Sequence, residues 1–232
     1  MDIIKRLITP NKYSRPKKLR KSTKAIIVHW IANPMTTAMM NRNYFDSLKN
    51  GTGVYASAHE IIGLEGEVVI CLPKNEMAYH VGSKTYTQKA LDLLGSYPNN
   101  STYGIECCHL DWKGTMTNET YSSLVERCAT LCEEFNLNAL TDIWTHKQVV
   151  GWKDCHRWFV DNHEAWKLFL IRVNKRMEER RMKTYKELII ERTDSPDRWI
   201  NLIENAKQGI LEIEDLELLE WLKEFTEKIG NP

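Results

Sequence analysis

The chain has 232 residues, 42% of them hydrophobic, with 32 basic and 31 acidic side chains for a formal net charge of +1. That length accommodates one domain of ordinary size plus an appendage, and the composition excludes global disorder. Near-neutral charge argues against nucleic acid as the principal partner, and no apolar run approaches the ~18 residues of a membrane span.

Positive charge is concentrated at the start. The first 24 residues carry Lys5, Arg6, Lys12, Arg15, Lys17, Lys18, Arg20, Lys21 and Lys24 against Asp2 alone. This basic N-terminal arm, residues 1–24, reads either as a solvated segment or as one that lies on an anionic polymer or membrane surface. No apolar stretch follows it in the manner of a secretory signal, so the expectation is synthesis in the cytoplasm without a signal peptide. The β-branched run KAIIVHW predicts a buried strand over residues 25–30, with His29 at its end. Asn33-Pro34 breaks it. Met39, Met40, Tyr44, Phe45 and Leu48 then predict a helix over residues 36–49. Gly63 to Gly66 punctuates two β-rich runs and predicts a hairpin over residues 56–72.

Residues 82–101 read as a polar loop, and TYGIECCHL as another strand. TNETYSSLVERCATLCEEFN predicts an amphipathic helix capped by Thr117 or Asn118, with Leu124, Cys128, Leu131, Cys132 and Phe135 on its apolar face. A further helix is expected around residues 161–177. NKRMEERRMK is a charged bridge and the expected domain boundary. Beyond it, Ser195 as N-cap before Pro196, and apolar spacings around Trp199 and Trp221, predict a small all-α module over residues 184–232. The fold class expected is α/β, a mixed central sheet flanked by helices in residues 1–178, followed by that module.

The stretch THKQVVGWKDCHRWF, residues 145–159, gathers two histidines, a cysteine, a lysine and an aspartate. Zinc takes nitrogen and thiolate ligands in a tetrahedral shell, and a catalytic zinc keeps one position open. His29 and His146 each end a β-like run, and Cys155 follows nine residues after His146. Two histidines and a thiolate suit the catalytic pattern. Seven histidines allow many such trios, however, and a lone histidine is more often structural. The six cysteines lack zinc-ribbon spacing and disulfide-scaffold density, so the others are expected to be buried thiols. Cys107 and Cys108 are expected to face opposite sides of their strand.

The segments AIIVHW, ASAHEIIGLEGEVV, MAYHVG, NNSTYGIE and WTHKQVVGWKDC, in this order over residues 20–177, resemble the type 2 N-acetylmuramoyl-L-alanine amidases. That family includes phage endolysins and bacterial autolysins, and its fold is shared with peptidoglycan recognition proteins. The resemblance implies a hydrolase of bacterial peptidoglycan that cleaves the amide between N-acetylmuramic acid and L-alanine. It implies one zinc ion per chain held by His29, His146 and Cys155. Glu106 would act as general acid and base, Lys153 would stabilise the oxyanion, and His80 would touch substrate on the cleft wall. Two features depart from the family pattern: His156 follows the last ligand where proline is common, and Ala58 stands where some relatives carry tyrosine.

The remaining candidates have plainer readings. His59 is expected to be a core histidine, and Asp154 and His156 to flank Cys155 without ligating. His109 and His163 are expected on the surface, and Cys128 and Cys132 in the core. The resemblance also implies that residues 184–232 target the cell wall and that the protein acts on the wall after release; the small size of that module equally suits docking on the catalytic domain or self-association. Two rival functions are a non-catalytic peptidoglycan-binding module and an amidase that recycles soluble muropeptides.

Overall fold

A computed structural model of the chain describes residues 1–51, 53–192 and the isolated positions 197, 200, 201 and 204. Six strands, β1 (Ile3–Lys5), β2 (Ala25–Trp30), β3 (Glu60–Ile62), β4 (Val68–Ile70), β5 (Thr102–Cys107) and β6 (Ile143–Thr145), form one sheet in the order β1-β4-β3-β5-β2-β6. Neighbours run parallel except in the β3–β4 hairpin, so the sheet is mixed. The β-branched run of β2 lies between β5 and β6 and is buried on both faces as far as half-buried Trp30. Fully buried parallel strands are continuous apolar runs of this kind.

Six helices, α1 (Ala38–Ser47), α2 (Gln88–Leu94), α3 (Asn118–Phe135), α4 (His146–Val150), α5 (Arg157–Asp161) and α6 (His163–Arg192), are described. Strand alternation divides the core into two sides. Ile26 and Val28 of β2 and Tyr103, Ile105 and Cys107 of β5 pack with Leu124, Cys128 and Leu131 of α3 and Phe169 and Val173 of α6. On the opposite side Ala25 and Ile27 pack with Val81, Leu94, Trp144 and Val149. There too Ile61, Val69 and Cys108 pack with Ala38, Phe45 and Leu48. Each such fully buried large apolar side chain contributes about 1.5–3 kcal/mol. Cys107 and Cys108 do face opposite sides, and all six cysteines are buried and unbridged.

The α3 side also holds a buried ionic cluster. Arg127 donates from Nε and Nη2 to the Glu60 carboxylate at 3.0 and 2.8 Å, and the Tyr103 hydroxyl donates to the same carboxylate at 3.1 Å. α3 begins at the expected cap: Thr117 Oγ1 accepts the Thr120 N–H at 3.0 Å. It ends where Asn136 adopts φ 53°, a left-handed conformation that asparagine tolerates.

Four expectations need correction. The basic arm is not a free segment. β1 pairs with β4, Ile8 is fully buried, and Arg15 pairs with Glu76 at 2.8 Å. The apolar pairs Ile3-Ile4 and Leu7-Ile8 are what the charges obscured. Residues 82–101 are not simply loop, because Thr87 caps α2 by accepting the Ala90 N–H and seats Ala90 and Leu94 in the core. The last helix does not stop near residue 177; α6 continues to Arg192 through the charged bridge, which contains no glycine or proline. His109 is buried rather than on the surface, its ring stacked on Trp30 at 4.7 Å.

By its internal contacts the chain divides into Met1–Met177 and Glu178–Pro232. The expected module of 184–232, with Ser195, Trp199 and Trp221, falls largely outside the described residues. No helix among the described residues is long and apolar enough to cross a membrane.

Candidate active site

β2 and β5 run parallel with His29 paired to Glu106 in register. Their alternation turns Thr102, Gly104 and Glu106 of β5 toward the same side as Ala25, Ile27 and His29 of β2. The site lies on this face of the sheet, toward the carboxyl ends of the two strands.

His146 reaches the site from the first position of α4. A reciprocal cap fixes that position: Gln148 Oε1 accepts the Thr145 N–H at 2.7 Å, and Thr145 Oγ1 accepts the Gln148 N–H at 3.3 Å. The chain then returns. The Lys147 N–H donates to the Cys155 carbonyl at 2.9 Å, and Lys147 Nζ pairs with Asp154 at 2.8 Å. Asp154 is thereby held away from the site while Cys155 turns inward.

Three donors converge. His29 Nδ1 lies 3.1 Å from His146 Nδ1 and 3.6 Å from Cys155 Sγ. The ligand atoms of His29, His146 and Cys155 all fall within 4.8 Å of one another, and all three residues are buried. Zinc bonds at tetrahedral angles place nitrogen donors roughly 3.3 Å apart, and nitrogen and thiolate roughly 3.6 Å apart. The donor types and the two distances from His29 therefore fit zinc, with the His146–Cys155 pair within 4.8 Å.

The protonation chemistry agrees. Burial lowers the His146 pKa to about 3, with Lys153 adding to the effect. Burial, reinforced by His146 and His80, holds His29 well below its ordinary value. Both rings are therefore neutral, as ligation requires. Burial, with help from Glu106, pushes the Cys155 thiol up, so a dication would have to displace its proton on binding.

Glu106 stands beside this group with its Oε2 buried and without a hydrogen-bonding partner. Burial raises its pKa to about 8, and Lys153 pulls it back down. The exposed Lys153 and Glu106 together line two adjoining cavities. One, of about 450 Å³, is walled by Tyr55, Tyr79, Tyr97, His80 and His146. The other, of about 470 Å³, is walled by Trp30, Met40, Tyr44 and Phe45. The cleft thus has a tyrosine-lined lobe and a more apolar lobe on either side of a carboxylate and an ammonium.

The structure brings His29, His146, Cys155, Glu106 and Lys153 to one cleft. His80 also borders it, but both of its ring nitrogens are already engaged, with His29 at 3.0 Å and Thr102 at 3.1 Å. His59 is a satisfied core histidine, bonded to Gly104 N–H and the Glu76 carbonyl. His156 is buried against Phe159 and is outside the donor group. His163 is exposed. Sequence reasoning did not single out Thr102, Gly104 or the tyrosines of the first lobe. The alternation in TYGIE carried a signal for two of them, since it sets Thr102 and Gly104 on the face of Glu106.

A family model described as N-acetylmuramoyl-L-alanine amidase matches residues 19–158. The chain is 31% identical over 137 residues to a probable N-acetylmuramoyl-L-alanine amidase of Bacillus licheniformis, covering 59% of this chain and 38% of that protein. It is 30% identical over 176 residues to the N-acetylmuramoyl-L-alanine amidase BlyA of Bacillus subtilis (strain 168), covering 73% of this chain and 46% of that protein. It thus spans less than half the length of these relatives. Among solved structures, PlyL superposes with a TM-score of 0.59 at 22% identity, covering 75% of this chain and 97% of PlyL. The catalytic domain of XlyA superposes with a TM-score of 0.56 at 24% identity, covering 73% and 99%. At these identities the superpositions speak for a common fold.

Proposed function

The chain belongs to the N-acetylmuramoyl-L-alanine amidase family, and from that premise we propose that it is a zinc-dependent peptidoglycan amidase. The bond cleaved is the amide joining the lactyl group of N-acetylmuramic acid to L-alanine of the stem peptide. The observation that supports this most is the meeting of a three-donor group with an unpartnered carboxylate and a lysine in one cleft.

His29, His146 and Cys155 would hold the metal. When bound, zinc supplies Lewis acidity that brings the pKa of water toward neutrality and polarises a carbonyl. Glu106 takes the proton from the attacking water, a role open to a cleft carboxylate whose Oε2 has no hydrogen-bonding partner of its own. It delivers that proton to the departing nitrogen as the C–N bond breaks and the new C–O bond completes the lactyl carboxylate. The ammonium of Lys153 faces the oxygen on which negative charge develops. The product is a free α-amino group on L-alanine.

Mass spectrometry of digested peptidoglycan tests the reaction. New L-alanine amino termini are expected, whereas new reducing sugar ends would make the protein a glycosidase. Metal analysis is expected to find about one zinc per chain, and Cys155→Ala is expected to lose it. A full donor set disfavours a role in binding without cleavage. The reading extends to a phage or prophage endolysin that reaches the wall after release, with residues 184–232 contributing wall targeting or self-association. Loss of binding to purified walls on deleting 184–232 supports targeting, and unchanged binding rules it out.

A further inference from the structure

We propose that His80 is a positioning residue which, together with Thr102, fixes the proton arrangement of His29 so that Nδ1 of His29 offers its lone pair to the metal. The inference rests on the zinc reading above and assigns His80 a role other than substrate contact.

The direction of each hydrogen bond follows from one carbonyl. Thr102 Oγ1 lies 2.8 Å from the Pro98 carbonyl oxygen, which can only accept, so the single hydroxyl proton of Thr102 is used there. Toward His80 Nε2, 3.1 Å away, Thr102 Oγ1 must then accept, which places a proton on that nitrogen. A neutral imidazole carries one N–H, so His80 Nδ1 is an acceptor. It lies 3.0 Å from His29 Nε2, which therefore donates. The proton of His29 is thus committed to Nε2, leaving Nδ1 bare, and Nδ1 is the atom that faces His146 and Cys155. A metal-bound histidine is usually oriented through its other nitrogen in this way, though commonly by a carboxylate or a carbonyl.

The surroundings are shaped to hold the His80 ring. A Cβ on Gly104 would lie 2.5 Å from two ring atoms of His80, so this position of β5 must be glycine for the ring to fit. The Asn99 side-chain oxygen accepts the backbone N–H groups of His80 at 3.2 Å and Val81 at 2.9 Å. His80 is only 7% exposed, and with both nitrogens occupied it has no polar atom left for substrate. The row facing the site from β5 is then a graded set: Thr102 sets the direction, Gly104 makes the space and Glu106 carries the chemistry.

Zinc affinity of the full chain, measured by competition with a chromogenic chelator, tests this, with cobalt(II) absorption as the spectroscopic readout. Thr102→Val and His80→Leu are expected to weaken zinc binding on the order of 10- to 100-fold and to alter the cobalt spectrum. Thr102→Ser keeps the hydroxyl and His80→Asn keeps an acceptor near the Nδ1 position, so both are expected to recover much of the loss. In hydrolysis, kcat is expected to fall in Thr102→Val with KM nearly unchanged. Wild-type zinc affinity and cobalt spectrum in both Thr102→Val and His80→Leu would overturn the proposal. So would a lowered melting temperature of the zinc-free variants without any loss of affinity, which marks plain packing residues. A raised KM with intact zinc affinity would return His80 to substrate contact. If the wild-type chain itself takes up no zinc, the zinc reading fails first and this inference with it.

Discussion

Two glutamates on adjacent parallel strands have opposite fates. Glu60 of β3 turns toward α3, where Arg127 and the Tyr103 hydroxyl satisfy its carboxylate. Glu106 of β5 pairs in register with Ile61, the next residue along β3, and turns to the other side, where its Oε2 has no partner. Both carboxylates are costly to bury. Only the first is compensated within the fold, and its cluster links β3, β5 and α3. The second is left under-solvated beside a lysine and three candidate metal donors, with its pKa raised by burial to about 8. An uncompensated carboxylate at the mouth of a cleft marks chemistry better than a strained or charged group deep in a core does.

The comparison breaks most visibly at Glu106. Replacing it by the isosteric glutamine is expected to lower peptidoglycan hydrolysis on the order of 100- to 10,000-fold, with zinc retained. Undiminished turnover in a dye-release assay would remove Glu106 from the chemistry. Next in size is Arg127→Ala, which strands the Glu60 charge in the core and is expected to cost about 3–5 kcal/mol of folding stability. Denaturant unfolding measures it, and the double change Glu60→Leu with Arg127→Met is expected to recover most of the loss.

A smaller effect is the pH dependence that Glu106 brings to stability. The folded pKa of Glu106 lies above its ordinary value of 4.5, so the zinc-free protein holds this proton more tightly than the unfolded chain does. Stability from this group is full below about pH 4.5 and is lost as pH rises through about 8. The melting temperature of zinc-free Glu106→Gln is therefore expected to exceed that of wild type by a margin that widens from pH 5 to pH 8. His59 and His156 act in the opposite sense, since burial lowers both to about 3. Their contribution is present above pH 6.5 and is lost as the medium is acidified toward pH 3, so calorimetry is expected to find a maximum between the two limits. The smallest change is Tyr103→Phe, which removes one of the donors to Glu60 and is expected to cost roughly 1–2 kcal/mol without altering hydrolysis.

Much of the framework was legible because single elements carry strong local signals. The β-branched run of β2, the punctuated β3–β4 hairpin and the capped amphipathic α3 each announce themselves within about 20 residues. β1 and α2 did not. β1 has three residues followed by charge, and α2 has only seven, set in polar sequence. The site was legible in a different way. Nothing in the spacing of residues 29, 106, 146, 153 and 155 says that they meet; the resemblance to the amidase family implied it. Contacts across more than 100 positions are set by sheet topology. His80 shows the remaining gap. The HVG turn drew attention to it, but its partner Thr102 lies 22 residues away, and only coordinates show which atoms face each other.

The pairing of β1 has a practical side. Val68 donates its N–H to the Asp2 carbonyl, while Arg6 and Ile8 donate theirs to the Ile70 and Cys71 carbonyls. A fragment trimmed to the family-matched residues 19–158 would strip this cover and leave one margin of β4 with open backbone groups, a template for edge-to-edge association between molecules. It would also remove Trp166, Phe169 and Val173 from beneath the sheet. A minimal fragment therefore has to keep the first eight residues and the beginning of α6, both outside the family-matched segment.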